Sequence, residues 1–144
     1  MRTKSSPNAK ASEVVAKPAV DLHDVSWISP SVIEVRFRGH VTGESTRLLT
    51  EHARQLLLRG TPRAFIINCE EAKNYEPDVR GPGVRLLELL RESGATIGYA
   101  VSRSPAIRMI GTAVAFVAGT RVTFVETPRE ALAAIKRQLD GEPR

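Results

Sequence analysis

The sequence predicts an α/β fold with a mixed sheet of about five strands and four helices, in the order β-β-α-β-α-β-α-β-α. Two observations lead to it. Short apolar runs alternate with amphipathic segments of helical periodicity, which is typical of repeated strand–helix units. Two strand-like segments precede these units with no helix between them, so a leading hairpin is expected. With 144 residues, the chain is long enough to form a hydrophobic core without cross-links.

The leading hairpin is predicted from residues 20–27, an irregular first strand, and residues 32–37, which follow a Ser-Pro-Ser turn. Residues 32–37 alternate strictly, with Phe37 among the apolar residues of one side and Glu34 on the other. A period of two is typical of a strand that is buried on one face only. Gly39 is expected to end this strand.

The remaining segments carry signals for their ends. Ser104 followed by Pro105 is an N-cap with proline at the first helical position, and Thr127 with Glu130 forms a capping box. Gly60 is a typical residue to follow a helix. The predicted segments are a helix at 42–59, a buried strand at 64–67, a helix that ends near 93, a strand at 96–101, a helix at 104–118, a strand at 122–125 and a helix at 127–140.

A polar loop, residues 74–83, follows the buried strand and opens the second helix. Such a loop at the carboxyl end of a strand is where α/β proteins usually bind ligands or partners. Its Gly81-Pro82-Gly83 run matches neither common phosphate-binding pattern, and Pro82 lacks an N–H that an anion would need. We therefore interpret the loop as a contact surface and not as a nucleotide site.

The net charge of +5 is concentrated at the amino terminus. Residues 1–19 carry four basic residues against one acidic residue, or +3, and have too few apolar residues to offset the entropy of ordering. We predict a disordered basic tail at 1–19, a domain at 20–140 and a frayed terminus at 141–144. Because no basic face with motif support follows the tail, specific nucleic-acid binding is not expected.

Several other classes of protein are disfavoured. A single cysteine, Cys69, excludes an internal disulfide and suits a cytoplasmic protein. No apolar run approaches the length of a membrane span, and no secretory signal is recognisable. The histidines, His23, His40 and His52, have no metal-ligand spacing. We expect no metal, no cofactor and no catalytic residue.

Four stretches, VIEVRFRG at 32–39, AFIIN at 64–68, DVRGPGV at 78–84 and VETPREAL at 125–132, resemble the STAS domain. This is the fold of bacterial anti-sigma factor antagonists and of the cytoplasmic part of sulfate transporters. The resemblance covers about residues 20–139. It implies a regulatory module that works by protein–protein contact, with a kinase-like anti-sigma factor or another signalling protein as its partner, or with self-association.

The sequence departs from the antagonist pattern at its regulatory positions. Asn68 stands where the family usually has an aspartate at the end of the central strand. Asp78 and Gly81 match the aspartate and glycine of the family's phosphorylation loop, but Val79 and Arg80 occupy the hydroxyl positions. No phosphorylation at this loop is therefore expected. The predicted partner-binding residues are Asp78, Val79, Arg80, Gly81, Gly83, Arg85 and Ser104.

Two further functional hypotheses remain open. The second and third helices have more apolar residues than one sheet-facing stripe needs, so they either pack on each other or present a surface to a partner, a second copy or an acyl chain. A lipid or another amphiphile would then lie between the third helix and the sheet. An enzyme would require Asn68, Glu70, Asp78 and Arg80 to converge in a cleft.

Overall fold

The computed structural model describes residues 23–141, and these form one five-stranded sheet and four helices. The elements follow in the predicted order. Their bounds are β1 (Asp24–Ser29), β2 (Val32–Val41), α1 (Gly43–Leu57), β3 (Ala64–Tyr75), α2 (Arg80–Glu92), β4 (Ile97–Val101), α3 (Pro105–Ala118), β5 (Thr123–Val125) and α4 (Pro128–Gly141). The predicted tail at 1–19, the start of the predicted first strand and residues 142–144 lie outside the described residues.

The sheet has the strand order β1-β2-β3-β4-β5, so neighbours in sequence are neighbours in space. β1 is antiparallel to β2, and the other pairs are parallel, as a hairpin followed by strand–helix–strand units predicts. Each parallel connection advances in the same direction across the sheet. Because such connections share one hand, α1, α2 and α3 lie on the same face.

Two hydrophobic cores follow from this arrangement. The larger one lies between the sheet and α1, α2 and α3 and includes Phe65, Leu49 and Leu90, all fully buried. The smaller one lies on the opposite face, where Ala131 and Ile135 of α4 pack on the strands. Burial on both faces explains the continuous apolar run at the start of β3.

β2 and β3 are both longer than predicted. β2 continues past Gly39 to Val41, and β3 continues past residue 67 to Tyr75. The two strands remain paired in parallel to the Val41–Tyr75 position, with register shifts after Arg36 and Gly39. Gly39 has φ of 65°, a left-handed conformation that glycine adopts without strain, so the glycine bends the strand and does not end it.

Glu34 corrects the prediction that β2 is buried on one face only. Its side chain is on the α4 face of the sheet, yet the residue is only 7% exposed. Arg36 donates a hydrogen bond to Glu34 Oε1 at 3.2 Å, and Asn68 Nδ2 donates one to Glu34 Oε2 at 3.1 Å. A carboxylate tolerates burial when it is paired in this way.

The predicted helix caps Ser104 and Thr127 are confirmed, and Thr42 caps α1 in the same way. Thr42, Ser104 and Thr127 each accept a hydrogen bond from a backbone N–H of the first turn that follows. At the other end of α3, Gly119 adopts a left-handed conformation with φ of 71°. α1 ends at Leu57, two residues before the predicted end at 59.

The additional apolar residues of α2 and α3 are buried in α2 but partly exposed in α3. In α2, Leu86, Leu87 and Leu90 are buried, since α2 packs between α1 and α3 and against the sheet. In α3, Val114 is buried, but Phe116 is 85% exposed. Internal packing therefore accounts for α2 and only for the inner side of α3.

Candidate functional site

The candidate site is the start of α2 together with the turn that leads into it. Residues Pro77–Val79 form a short 3-10 turn, and α2 begins at Arg80. The predicted loop at 74–83 is therefore wrong at both ends: Asn74 and Tyr75 belong to β3, and Gly81, Pro82 and Gly83 lie in the first turn of α2. Proline is accepted there because the first N–H groups of a helix have no internal partner.

Asp78 connects this turn to the start of α1. The backbone N–H of Gly43 donates a hydrogen bond to Asp78 Oδ1 at 2.9 Å. Gly43 has no room for a side chain, because a Cβ there would lie 2.7 Å from the carbonyl oxygen of Asp78. A carboxylate at a helix N-terminus also interacts favourably with the helix dipole. Asp78 therefore holds two elements together, which the sequence analysis did not anticipate.

Four of the predicted partner-binding residues are at the surface near the start of α2. These are Asp78, Arg80, Gly81 and Arg85, and the first turn of α2 itself has no acidic residue. Positive side chains near a helix N-terminus add to the positive end of the helix dipole. This part of the surface is therefore suited to acidic groups.

The other predicted contact residues are used internally. Val79 is 5% exposed and belongs to the larger core, so its side chain is not part of the surface. Gly83 faces α3, where its Cβ position would lie 3.4 Å from Val114. The Ser104 hydroxyl accepts a hydrogen bond from the Ile107 N–H as the N-cap of α3. Val79 is thus excluded as a contact side chain, because hydrophobic packing fixes it.

The buried His23 contacts the first turn of α1. The Arg38 N–H donates to His23 Nδ1 at 3.2 Å, so the neutral ring carries its proton on Nε2, which lies 3.0 Å from Ser45 Oγ. Ser45 completes the capping box with Thr42. Burial, and secondarily the charge of Arg38, lowers the pKa of His23. Sequence reasoning missed this role.

His40 lies at the far end of β2 in a polar cluster with two residues from the end of β3. Its Nδ1 contacts Asn74 Oδ1, and its Nε2 lies 2.7 Å from Glu76 Oε2. Both partners are acceptors, so both ring nitrogens are favoured as donors. The hydrogen bond with Asn74 is the main cause that raises the pKa of His40, and the charges of Glu76 and Asp78 contribute.

Cys69 lies within β3, two residues beyond the predicted end of that strand at residue 67. Its thiol is buried and accepts a hydrogen bond from the Tyr75 hydroxyl at 3.1 Å. Burial raises the pKa of Cys69 to about 11, and burial also raises the pKa of Tyr75. At neutral pH the thiol is protonated, and the thiolate is the nucleophilic form of cysteine.

The four residues that an enzyme would need do not converge. Asn68 faces the α4 side of the sheet, where it donates to Glu34 and accepts a hydrogen bond from the Glu70 N–H at 3.0 Å. Asp78 lies against α1 on the other side. Within residues 23–141, no three His, Cys, Asp or Glu side chains are grouped to hold a metal ion, and no helix is long and apolar enough to cross a bilayer.

An apolar cavity of about 90 Å³ lies between the sheet, α2 and α3. Ala100 of β4 and Ile110 of α3 are among its lining residues, and Thr46, Cys69 and Tyr75 supply its few polar atoms. The cavity is smaller than the roughly 150 Å³ engineered cavity known to bind benzene. It therefore fits part of an alkyl chain and not a complete lipid.

Comparison with solved structures shows the same architecture. The anti-sigma factor antagonist SpoIIAA in its unphosphorylated form matches with a TM-score of 0.61 at 13% identity, over 83% of this chain and 99% of that chain. Phosphorylated SpoIIAA from Bacillus, a cell fate determinant, gives 0.59 at 13% identity, over 78% and 98%. An uncharacterised DUF3478 protein from Shewanella loihica with a SpoIIAA-like fold gives 0.56 at 12% identity, over 78% and 90%.

The chain therefore has a STAS-like fold, with the five-stranded mixed sheet and four helices predicted from the sequence. More particularly, it is similar in fold to the anti-sigma factor antagonist SpoIIAA across almost the whole length of that protein. No protein-family model and no curated protein matches the sequence.

We predict that Asp78→Ala lowers the free energy of unfolding by about 1 kcal/mol, the usual effect of losing a helix cap. Asp78→Asn keeps a side-chain oxygen for the Gly43 N–H and should have a smaller effect. Urea denaturation followed by circular dichroism measures both. Equal stability of Asp78→Ala and the native chain would contradict the structural role of this carboxylate.

We also predict an acid-dependent loss of stability that His23 causes. The unfolded chain takes up a proton near the ordinary pKa of 6.5, while folded His23 resists protonation. This contribution is fully present above pH 6.5 and is lost as the pH falls towards the lower folded-state value. In thermal melts from pH 8 to pH 5, His23→Gln should lose less stability on acidification than the native chain.

His40→Gln is the matched control for that experiment. The pKa of His40 is raised, so its stabilising contribution is present below pH 6.5 and is lost as the pH rises through the folded-state value. His40→Gln should therefore remove a contribution of the opposite sign. Identical pH profiles for the two variants would contradict the assignment of the two histidines.

Proposed function

We propose that this chain is a cytoplasmic regulatory module that binds a signalling protein through the start of α2, without a phosphorylation switch and without catalysis of its own. The observation that carries the proposal is a pair of exposed arginines, Arg80 in the first turn of α2 and Arg85 in the second, with no acidic residue in that first turn. The STAS-like fold supports a regulatory role by its similarity to an anti-sigma factor antagonist.

The charge at this surface indicates the chemistry of the partner. Guanidinium groups form paired hydrogen bonds with carboxylates, and the exposed Gly81 between Arg80 and Arg85 in the sequence leaves the backbone open to a close approach. An acidic patch on a folded partner, such as a kinase-like anti-sigma factor, therefore fits. Arg80 also carries the charge opposite to that of a phosphate, so it favours a permanent contact over one that phosphorylation would break.

Asp78 has a supporting role in this proposal. Its carboxylate fixes the turn against α1, so the start of α2 is presented on a rigid base. A preformed surface loses less conformational entropy on binding. Removal of Asp78 should therefore weaken partner binding indirectly, by loosening the turn.

We predict that Arg80→Glu/Arg85→Glu loses a partner that the native chain captures from a lysate of the source organism. Charge reversal turns attraction into repulsion and should reduce capture at least tenfold. The matched control is Arg129→Glu/Arg137→Glu, which reverses two exposed arginines on α4, on the other face of the sheet. Quantitative mass spectrometry of the captured proteins is the measurement. Identical partner sets for both double variants would reject the proposal.

The cavity favours a second candidate, the binding of a small amphiphile between α3 and the sheet. Its lining is almost wholly apolar, and the Tyr75 hydroxyl is one of its few polar groups. Part of an acyl chain would fill this space and replace contacts that an empty cavity lacks. The polar end of the ligand would then remain outside the cavity.

Native mass spectrometry of freshly purified protein tests this candidate. A bound amphiphile should give a mass adduct, and Ala100→Val, which adds two methyl groups to the cavity wall, should remove it. In the ligand-free protein, the same variant should raise stability by about 0.5–2 kcal/mol because it fills space. Gly98→Ala is the contrast on the same strand: its Cβ would lie 2.4 Å from the Phe65 ring, so it should destabilise. A chain that never carries an adduct argues against the candidate.

A further inference from the structure

The outward side of α3 is an apolar surface with no neighbour among the described residues. Met109 is 72% exposed, Phe116 85% and Val117 68%. These residues share one side of the helix with four others that are exposed, and together they span roughly 140° of its circumference at about 100° per residue. We call this set the α3 face; its members are Pro105, Ala106, Met109, Thr112, Ala113, Phe116 and Val117.

The α3 face has almost no free polar group. Its one polar side chain, Thr112, donates its hydroxyl to the carbonyl oxygen of Arg108 at 2.7 Å. The exposed side of α1 is different, since Glu44 and Arg47 form an ion pair at 2.8 Å there. An uncharged helix side of this kind is typical of a surface that is covered in use.

The stretch of sequence that contains α3 carries only positive charges. No Asp or Glu occurs between Glu92 and Glu126. Arg103 is exposed just before the N-cap of α3, and Arg121 is exposed just after Gly119 at the other end. The third arginine, Arg108, is used internally: its Nε donates to the Ser102 carbonyl oxygen at 2.9 Å, and its guanidinium lies over the Phe124 ring.

We propose that the α3 face, with Arg103 and Arg121 at its two ends, docks the protein on an anionic membrane surface. α3 would lie parallel to the bilayer plane, with Met109 and Phe116 among the acyl chains and both arginines at the phosphate level. This combination of an apolar side and flanking cations is what binds helices to anionic interfaces. At 14 residues, α3 presents a strip about 21 Å long.

Charge favours this occupant over a second copy of the chain. If two α3 faces met, they would bring Arg103 and Arg121 of each copy close to one another. The segment that carries them has no carboxylate to pair with these arginines. An anionic lipid surface supplies apolar and negative groups together. The docking does not use Arg80 or Arg85, so it goes beyond the proposed function and is testable apart from it.

Co-sedimentation of the full chain with vesicles tests the proposal. The vesicles contain either phosphatidylcholine alone or phosphatidylcholine and phosphatidylglycerol at three to one. We expect binding to the anionic vesicles, weaker binding at high salt because the arginines are screened, and little binding to the neutral vesicles. No sedimentation with the anionic vesicles at low salt would overturn the proposal.

Three variants sharpen the test. Phe116→Asp should weaken partition roughly tenfold or more, since it replaces an aromatic ring that would enter the acyl chains by a charge. Leu58→Asp is the matched control, because Leu58 is 78% exposed but lies at the end of α1. Arg103→Glu/Arg121→Glu should abolish the preference for anionic lipid. Equal binding of Phe116→Asp and Leu58→Asp would overturn the proposal.

Two further measurements complete the test. In Phe116→Trp, tryptophan emission should shift to the blue on addition of anionic vesicles, beyond any shift of the native chain. Analytical ultracentrifugation without lipid decides between a membrane and a second copy. A native dimer that Phe116→Asp converts to a monomer would assign the α3 face to self-association and contradict membrane docking.

Discussion

The parallel pairing of β2 with β3 is the constraint on which the rest of the structure depends. The two strands stay paired from Val32 and Ala64 to Val41 and Tyr75, well past the point where β4 ends. This extension brings the end of β3 to the start of α1, where Asp78 accepts a hydrogen bond from Gly43. The surface at the start of α2 is positioned by this pairing.

The one-directional strand order explains why two apolar helices have different surroundings. α1, α2 and α3 form a row on one face of the sheet. α2 is the middle member and packs against both neighbouring helices, while α3 packs against the sheet and has α2 as its main helical neighbour. The leucines of α2 therefore meet other helices on either side. α3 has the same excess of apolar residues but no helix beyond it among the described residues, so its outward side remains at the surface.

The order of elements could be predicted because the apolar patterns and helix caps that define each element depend on residues close in sequence. The start of β3 packs on both faces, with residues 64–66 fully buried, and the caps at Ser104 and Thr127 depend on neighbours within four residues. The extension of β3 could not be predicted in this way. Its residues after Cys69 include Glu70, Glu71 and Lys73, which are exposed and show no strand periodicity. Pairing with β2, not burial, makes them a strand.

The exposure of the predicted contact residues could be anticipated, but the interactions around them could not. Arg80 and Arg85 are exposed as expected, yet the bond between Asp78 and Gly43 joins residues 35 positions apart. Glu34 and Asn68 are 34 positions apart, so the burial of Glu34 had no local signal either. Gly81, Pro82 and Gly83 indicated a loop by their individual preferences, but packing of the leucines that follow makes them helical.

The shortness of β5 has a consequence for the behaviour of the protein in concentrated solution. An edge strand with free backbone groups is a template for intermolecular β-pairing, and hydrophobic surface beside it increases the risk of aggregation. β5 contains only three residues, Thr123–Val125. Few unpaired amides are thus available on the α3 side of the sheet. Although Phe116 is exposed near this edge, the edge strand is too short to act as a template for fibril growth.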